Sequence, residues 1–147
     1  MAFENYFDEI TFSELSTNLA KVGAKLLLEV LATINNIVPV KQIGETSYAH
    51  KITKEEGELN WNESSEVLMR KVRALMPWPG TFFYSNDEKI KVKSAKNYNQ
   101  AHNYKPGTIV DPNRLIIACT GGLFQPLVIQ KAGKAAMKVE DFLKGNK

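Results

Sequence analysis

Basic and aromatic side chains are interleaved through the second half of this 147-residue chain. Lysine and arginine bind nucleic-acid phosphates without reading base sequence, and aromatic rings stack on the bases. The residues of this set are Arg70, Lys71, Arg73, Trp78, Phe82, Tyr84, Lys89, Lys91, Lys93, Tyr98, Tyr104 and Lys105. Their mixture predicts a nucleic-acid contact surface, with an ordinary solvated lysine-rich surface as the alternative.

The residue types that perform catalysis or hold metals are sparse. His50, His102 and Cys119 are too widely spaced to form a metal site, and no Gly-rich phosphate loop leads from a strand into a helix. Both histidines flank polar loops, so we expect them to be solvated. Cys119 follows an apolar run, which predicts a buried and inert thiol. The sequence therefore offers no recognisable active site and no cofactor site.

Charge is divided unevenly along the chain. Residues 1–60 carry a net charge of −4 and residues 61–147 a net charge of +7. This division predicts two structural units and an acidic partner for the second. The sequence shows no apolar run of about 20 residues and no signal peptide, which argues against a membrane protein. A single cysteine fits the reducing cytoplasm.

Two helices precede the basic strands. Apolar residues at steps of three and four predict a first helix over residues 11–35, and extra leucines widen its apolar face over most of the circumference. Such a helix needs burial on more than one side, so either the second half covers it or a partner is missing. A second helix is predicted over residues 63–76. Arg70 and Arg73 lie near its C-terminal end, where they also suit the helix dipole.

The sequence Pro-Trp-Pro-Gly at residues 77–80 ends the second helix abruptly. Prolines fix their own φ and restrict the residue before them, and glycine allows the sharp turn. Trp78 could stack on a base beside Arg70 and Arg73. We favour a structural corner in which Trp78 packs between the helix and the first strand.

The rest of the chain reads as short strands. They are predicted at residues 81–84, 89–93, 107–110, 115–119 and 123–130, with a polar loop over 96–105 and a closing helical turn over 139–144. Strict alternation places Lys89, Lys91 and Lys93 on one strand face, where they could follow a phosphate backbone or protect a sheet edge. Five strands and one preceding helix predict an α+β fold, a small open β-barrel resembling the oligonucleotide-binding fold with one packed helix.

Several segments resemble the methionyl-tRNA formyltransferase family, in the family's order and at about its spacings. Residues 48–56 (YAHKITKEE) and 59–61 (LNW) resemble the string TYAxKLTKEEaxIDW. Residues 72–83 (VRALMPWPGTFF) resemble VRAxxPWPGAWF, and residues 106–109 (PGTI) resemble PGTV. The segment from Met137 to Gly145 resembles MxxEDFLrG. The resemblance covers residues 13–147.

This resemblance implies a domain organisation. Residues 1–35 would be the terminal helix of an otherwise absent catalytic domain, residues 36–60 a linker, and residues 61–147 the C-terminal barrel. The family enzyme formylates the amino group of methionine on initiator tRNA with 10-formyltetrahydrofolate, in translation initiation. Its catalytic residues and folate pocket lie upstream of this chain. We therefore expect the chain alone to be inactive and to bind no folate.

The resemblance also implies partners, which are initiator methionyl-tRNA and the N-terminal catalytic domain of the same enzyme. Basic linker residues of the family correspond to Lys51 and Lys54. Together with the cations of the charge argument, the predicted tRNA-binding residues are Lys51, Lys54, Arg70, Arg73, Lys89, Lys91 and Lys93. Two alternatives stay open. One is the C-terminal domain of a related formyltransferase or formyltetrahydrofolate dehydrogenase with a packing role, and the other is a module that self-associates through the apolar first helix.

Overall fold

The structure of this chain is a computed structural model that describes residues 10–145. Within them lie three α-helices and six strands. In chain order these are α1 (Phe12–Ala32), α2 (Ser65–Ala74), β1 (Thr81–Ser85), β2 (Glu88–Tyr98), β3 (Ile109–Asp111), β4 (Ile116–Ala118), β5 (Leu123–Lys131), β6 (Met137–Lys138) and α3 (Val139–Gly145). The predicted α+β class is confirmed. The two-residue β6 is an addition to the five predicted strands.

Helix α1 begins with a capping box. The Thr11 hydroxyl accepts from the Glu14 N–H, and the Glu14 carboxylate accepts from the Thr11 N–H at 2.9 Å. The bond from the Thr11 N–H, and a second one that the Thr11 hydroxyl donates to the same carboxylate at 2.7 Å, lower the pKa of Glu14. No residue of α1 is buried, and Leu28 is 69% exposed. The second half of the chain therefore leaves the broad apolar face of α1 uncovered.

The strands form one antiparallel sheet in the order β1-β2-β5-β4-β3, with β6 paired to β5. Strand β2 is the centre of this arrangement because it pairs with β1 over its first half and with β5 over nearly its whole length. The predicted loop over residues 96–105 is wrong at its start. Residues 96–98 continue β2 because they pair with β5. Their polar composition did not indicate a strand.

Helix α2 packs across β2 and closes the core. Leu68 and Val72 on its inner face join Ile90, Phe124 and other buried residues in one apolar cluster. A polar seam holds the N-terminal end of α2 to the turn before β5. There the Ser65 N–H donates to the Gly121 carbonyl at 2.9 Å. A Cβ on Gly122 would collide with the Tyr98 carbonyl oxygen and the Ser65 hydroxyl, so only glycine fits this contact.

The corner at residues 77–80 forms as predicted, but the indole of Trp78 does not fill it. Gly80 has a φ of +75°, and its N–H donates to the Leu75 carbonyl at 2.8 Å. Trp78 is 56% exposed, so its predicted packing between helix and strand is wrong. The physical reason is that Gly57 occupies the inner side of the corner. A Cβ there would collide with the Gly80 carbonyl, leaving no room for an indole.

A 3-10 turn at Ile34–Asn36 follows α1, and the chain then runs as an extended segment. Residues 37–54 form no helix or strand and are exposed, and a 3-10 turn follows at Glu55–Gly57. The chain then joins the domain, where the Leu59 N–H donates to the Phe82 carbonyl at 2.8 Å. The predicted boundaries at residues 35 and 60 stay predictions, and residues 1–9 of the first unit lie outside the described residues. Across residues 10–145, no helix has the length and apolarity that crossing a bilayer requires.

Candidate nucleic-acid interface

The structure separates the seven predicted contact residues into two groups and one outlier. Lys54, Lys89 and Lys91 belong to the β1–β2 hairpin and the turn beside it, and we call them the hairpin lysines. Arg70, Arg73 and Lys93 lie where α2 passes over β2, and we call them the helix cations. Lys51 is exposed in the extended segment just before the hairpin lysines.

The hairpin determines where its lysines point. Its two-residue turn at Asn86 and Asp87 has φ values of 50° and 63°, the left-handed pair that type I′ hairpin turns use. Opposite residues of an antiparallel pair share one face of the sheet. Because the register pairs Tyr84 with Lys89 and Phe82 with Lys91, each of these lysines lies beside an aromatic ring.

Lys54 joins this surface through the 3-10 turn. The bond between Leu59 and Phe82 brings the turn alongside β1. The pKa of Glu55 in the turn is lowered by hydrogen bonds to its own backbone N–H and to Thr53, and further by the charges of Lys54 and Lys89. Because both lysines act on one carboxylate, they lie on a single surface, and the Glu55 charge partly offsets theirs.

One of the helix cations, Lys93, does not follow the strand alternation that the sequence predicted. A register shift between Val92 and Ser94 places a β-bulge at Lys93. Lys93 therefore leaves the row of Lys89 and Lys91, and the expectation of three lysines in one row is wrong. It lines a pocket of about 360 Å³ together with Arg73 of α2 and the first residues of α1.

Arg70 and Arg73 also line a second, smaller pocket against the start of α1. The first turn of α1 therefore lies beside the last turns of α2, where both arginines project. The bulge and the helix together assemble a cluster that is separate from the hairpin lysines.

Most of these cations lack a neutralising carboxylate. Arg70 lies 3.8 Å from Glu66, whereas the other six form no ion pair within residues 10–145. Elsewhere Lys71 is held by Glu63 and Lys131 by Glu88, each at 2.7 Å. Lys89 instead lies over the Phe82 ring, 3.3 Å from its centroid, a cation–π contact that leaves the charge uncancelled. Uncompensated cations are the ones that can attract phosphates.

The two histidines and the cysteine lie outside the cation groups, and one of the three predictions made for them is wrong. His102 is half-buried. Its Nδ1 accepts from the Tyr104 N–H, and its Nε2 therefore donates to the Gly122 carbonyl at 2.8 Å. The expectation that it would be solvated is wrong, while His50 is exposed as predicted. Burial raises the pKa of the Cys119 thiol to about 12, in agreement with an inert cysteine. Residues 10–145 contain no cluster of metal ligands.

A further pocket, of about 510 Å³, lies next to the hairpin lysines and was not singled out by sequence analysis. It opens between residues 58–62 and the end of β1. The one sequence signal for it was the aromatic Trp61 at the end of a polar connector. Its other residues are distant in the chain, so only the fold brings them together.

Comparison with known proteins identifies the class. The family model described as "Formyl transferase, C-terminal domain" matches residues 51–147, which include the end of the extended segment, α2 and the sheet with its closing helix. The chain therefore belongs to the formyl transferase family through its C-terminal domain.

Its relatives are similar along nearly the whole chain. It is 44% identical over 137 residues to the methionyl-tRNA formyltransferase of Rickettsia prowazekii (strain Madrid E), covering 92% of this chain and 45% of that protein. With the methionyl-tRNA formyltransferase of Rickettsia typhi (strain ATCC VR-144 / Wilmington) it shares 44% identity over 142 residues, covering 96% and 46%. The resemblance read from the motifs is confirmed, and the chain spans under half the length of these relatives.

A solved structure shares the fold. A variant of HypX from Aquifex aeolicus matches with a TM-score of 0.55 and 21% identity, over 84% of this chain and 24% of that one. A second crystal structure of HypX, in complex with tetrahydrofolic acid, matches with the same TM-score at 20% identity, over 82% and 22%. At this identity the likeness concerns the fold alone.

Proposed function

We propose that this chain is the tRNA-binding, C-terminal part of a methionyl-tRNA formyltransferase. The observation that carries the proposal is the 44% identity to relatives of that name over more than nine tenths of the chain. The hairpin lysines support it, because they share one surface and none of them forms an ion pair within the described residues. Initiator tRNA would be held mainly through its phosphate backbone, by Lys51, the hairpin lysines and the helix cations.

Catalysis is assigned to the part of the relatives that this chain does not match. Under this proposal, formyl transfer from 10-formyltetrahydrofolate needs residues outside this chain, which by itself transfers no formyl group and binds no folate. The lone buried cysteine fits an enzyme that works in the reducing cytoplasm.

The uncovered apolar face of α1 is proposed to pack against the catalytic part of the same enzyme. None of its residues is buried, and the chain matches only 45% of the relative's length. We expect Leu28→Glu to weaken association with a separately produced preceding half about tenfold or more, in sedimentation velocity. Lys21→Glu on the same helix is the control and should change it little. Self-association of the chain that persists when the other half is in excess would favour the interaction-module alternative.

The tRNA proposal is tested by the salt dependence of binding. Lys54→Ala/Lys89→Ala removes two cations that form no ion pair from one surface, so the slope of log K against log salt should become shallower by about 1.5. Lys21→Ala/Lys144→Ala removes the same charge elsewhere and should leave the slope almost unchanged. Filter binding of initiator tRNA between 50 and 200 mM salt, roughly the range over which such contacts weaken, measures both.

Weak binding without salt dependence would reject the tRNA proposal. It would favour the C-terminal domain of a related formyltransferase or formyltetrahydrofolate dehydrogenase, in which the domain has a packing role. Identical slopes for the two double variants would show that the hairpin lysines do not contact the phosphates.

A further inference from the structure

The pocket of about 510 Å³ beside the hairpin lysines has the volume of a small-ligand site. It opens where the segment leading into α2 separates from β1. Leu59 is hydrogen-bonded to Phe82, but residues 60–62 turn away from the strand. Its lining includes Trp61, the buried Phe83 and the exposed Tyr84, and Glu58, Asn60 and Asn62 supply its polar groups.

Trp61 and Tyr84 each pack against another ring. Trp61 packs edge-on against Phe83, with centroids 5.6 Å apart, and is tilted against Phe124 at 5.8 Å. Tyr84 forms a T-shaped contact with Phe82 at 5.7 Å and remains 54% exposed. Because the contact with the buried Phe82 restrains the Tyr84 ring, its exposed surface can stack on a planar ligand without a large loss of side-chain entropy.

The polar groups suit a base better than a phosphate. Asn60 Oδ1 accepts from both the backbone N–H and the side-chain amide of Asn62, each at 3.0 Å. These bonds orient the Asn60 side chain and leave its own amide N–H groups able to donate. Glu58 is exposed and forms no ion pair within residues 10–145, so its carboxylate can accept from a base amino group. The same carboxylate would repel a phosphate.

The cations are placed outside the pocket, next to its aromatic entrance. Lys89 is directly opposite Tyr84 in the hairpin, and its charge acts on Glu55 together with that of Lys54. An aromatic ring flanked by lysines is the arrangement with which proteins bind unpaired nucleotides, the ring taking the base and the lysines the backbone.

We propose that this pocket receives one unstacked nucleobase of the bound RNA, stacked on Tyr84 and hydrogen-bonded by Asn60 and Glu58. This inference rests on the proposed tRNA-binding function, which it deepens by adding a base contact to a surface otherwise specific only for phosphates. The base enters from a single-stranded or splayed position, because the bases of an A-form duplex are not accessible to such a pocket.

The test compares two single-stranded RNA hexamers, oligoadenylate and an abasic chain of equal length and charge. Stacking on one aromatic residue is expected to make oligoadenylate bind about 5- to 150-fold more tightly than the abasic chain. Tyr84→Ala should abolish most of this difference, and Tyr84→Phe should retain it. Trp78→Ala is the matched control, since Trp78 is equally exposed but belongs to the α2–β1 corner.

A second arm separates this inference from the proposed function. In salt titrations with initiator tRNA, Tyr84→Ala should lower affinity at every salt concentration without changing the slope, because no charge is lost. Equal binding of the two hexamers, or an effect of Trp78→Ala in place of Tyr84→Ala, would overturn the base pocket while tRNA binding stands. Hexamer discrimination by Tyr84 with no binding of tRNA would support the pocket and reject the proposed function.

Discussion

Helices α1 and α2 both carry apolar stripes, but only α2 buries its stripe. Ser65, Leu68 and Val72 of α2 are buried against the sheet, whereas α1, at twice the length, buries no residue. The difference lies in the segment that comes after each helix. Helix α2 leads directly into the strands that it covers, while α1 leads into eighteen exposed residues without regular structure, 37–54. An apolar stripe thus specifies a face to be covered, but not the element that covers it.

Glycine substitutions test this comparison most strongly. Gly122→Ala should lower the free energy of unfolding by about 2–4 kcal/mol, because a Cβ would collide with Tyr98 and Ser65 and because a φ of +91° disfavours side chains. Gly23→Ala in α1 meets no atom within 4 Å and should stabilise that helix by about 0.5–1 kcal/mol. Urea unfolding followed by tryptophan fluorescence, together with circular dichroism at low denaturant, measures both.

The two substitutions should also differ in what they change. Gly122→Ala should shift the unfolding midpoint of the sheet domain, whereas Gly23→Ala should raise helical signal and leave that midpoint in place. A midpoint shift of similar size from Gly23→Ala would show that α1 is part of the cooperative unit and would break the comparison.

A smaller effect on stability is expected from the thiol of Cys119, which is buried in the sheet domain. Burial raises its pKa from 9.0 to about 12, so above pH 9 the unfolded chain loses this proton before the folded chain does. Stability from this group is therefore complete below pH 9 and is lost as the pH rises from 9 to about 12. Relative to Cys119→Ala, the wild-type chain should lose about 1 kcal/mol between about pH 8 and pH 10.

Thiol labelling provides the measurement and its control. In the native chain at neutral pH, Cys119 should react only as fast as the domain unfolds, and Gly23→Ala should not change that rate. Rapid labelling of native protein would contradict the burial of this thiol and the rigidity of the core around it.

The places where sequence reasoning succeeded are those governed by local chemistry. The two helices, the paired strands that begin at residues 81 and 89, and the proline corner each depend on neighbouring residue types, and all three form. The errors depend on distant contacts. Lys93 leaves its row because β2 bulges against β5, and Trp78 is exposed because Gly57 fills the space under the corner.

The candidate site shows the same division. Its cations were predictable, because charge and spacing are written in the sequence. Their separation into hairpin lysines and helix cations was not, since it results from the bulge and from the passage of α2 over β2. The pocket beside Tyr84 was still less predictable, because residues 58–62 and β1 meet through a hydrogen bond between Leu59 and Phe82.

The sequence by itself determined the periodicity of both helices, the basic second half, and the motifs that place the chain in its family. These properties depend on residue type and short spacing, which folding does not alter. The tertiary structure alone decided which apolar face is covered, which lysines share a surface, and which aromatic rings line a pocket. Such outcomes depend on strand register and on close backbone approaches at glycines, which bring together residues that are distant in the chain.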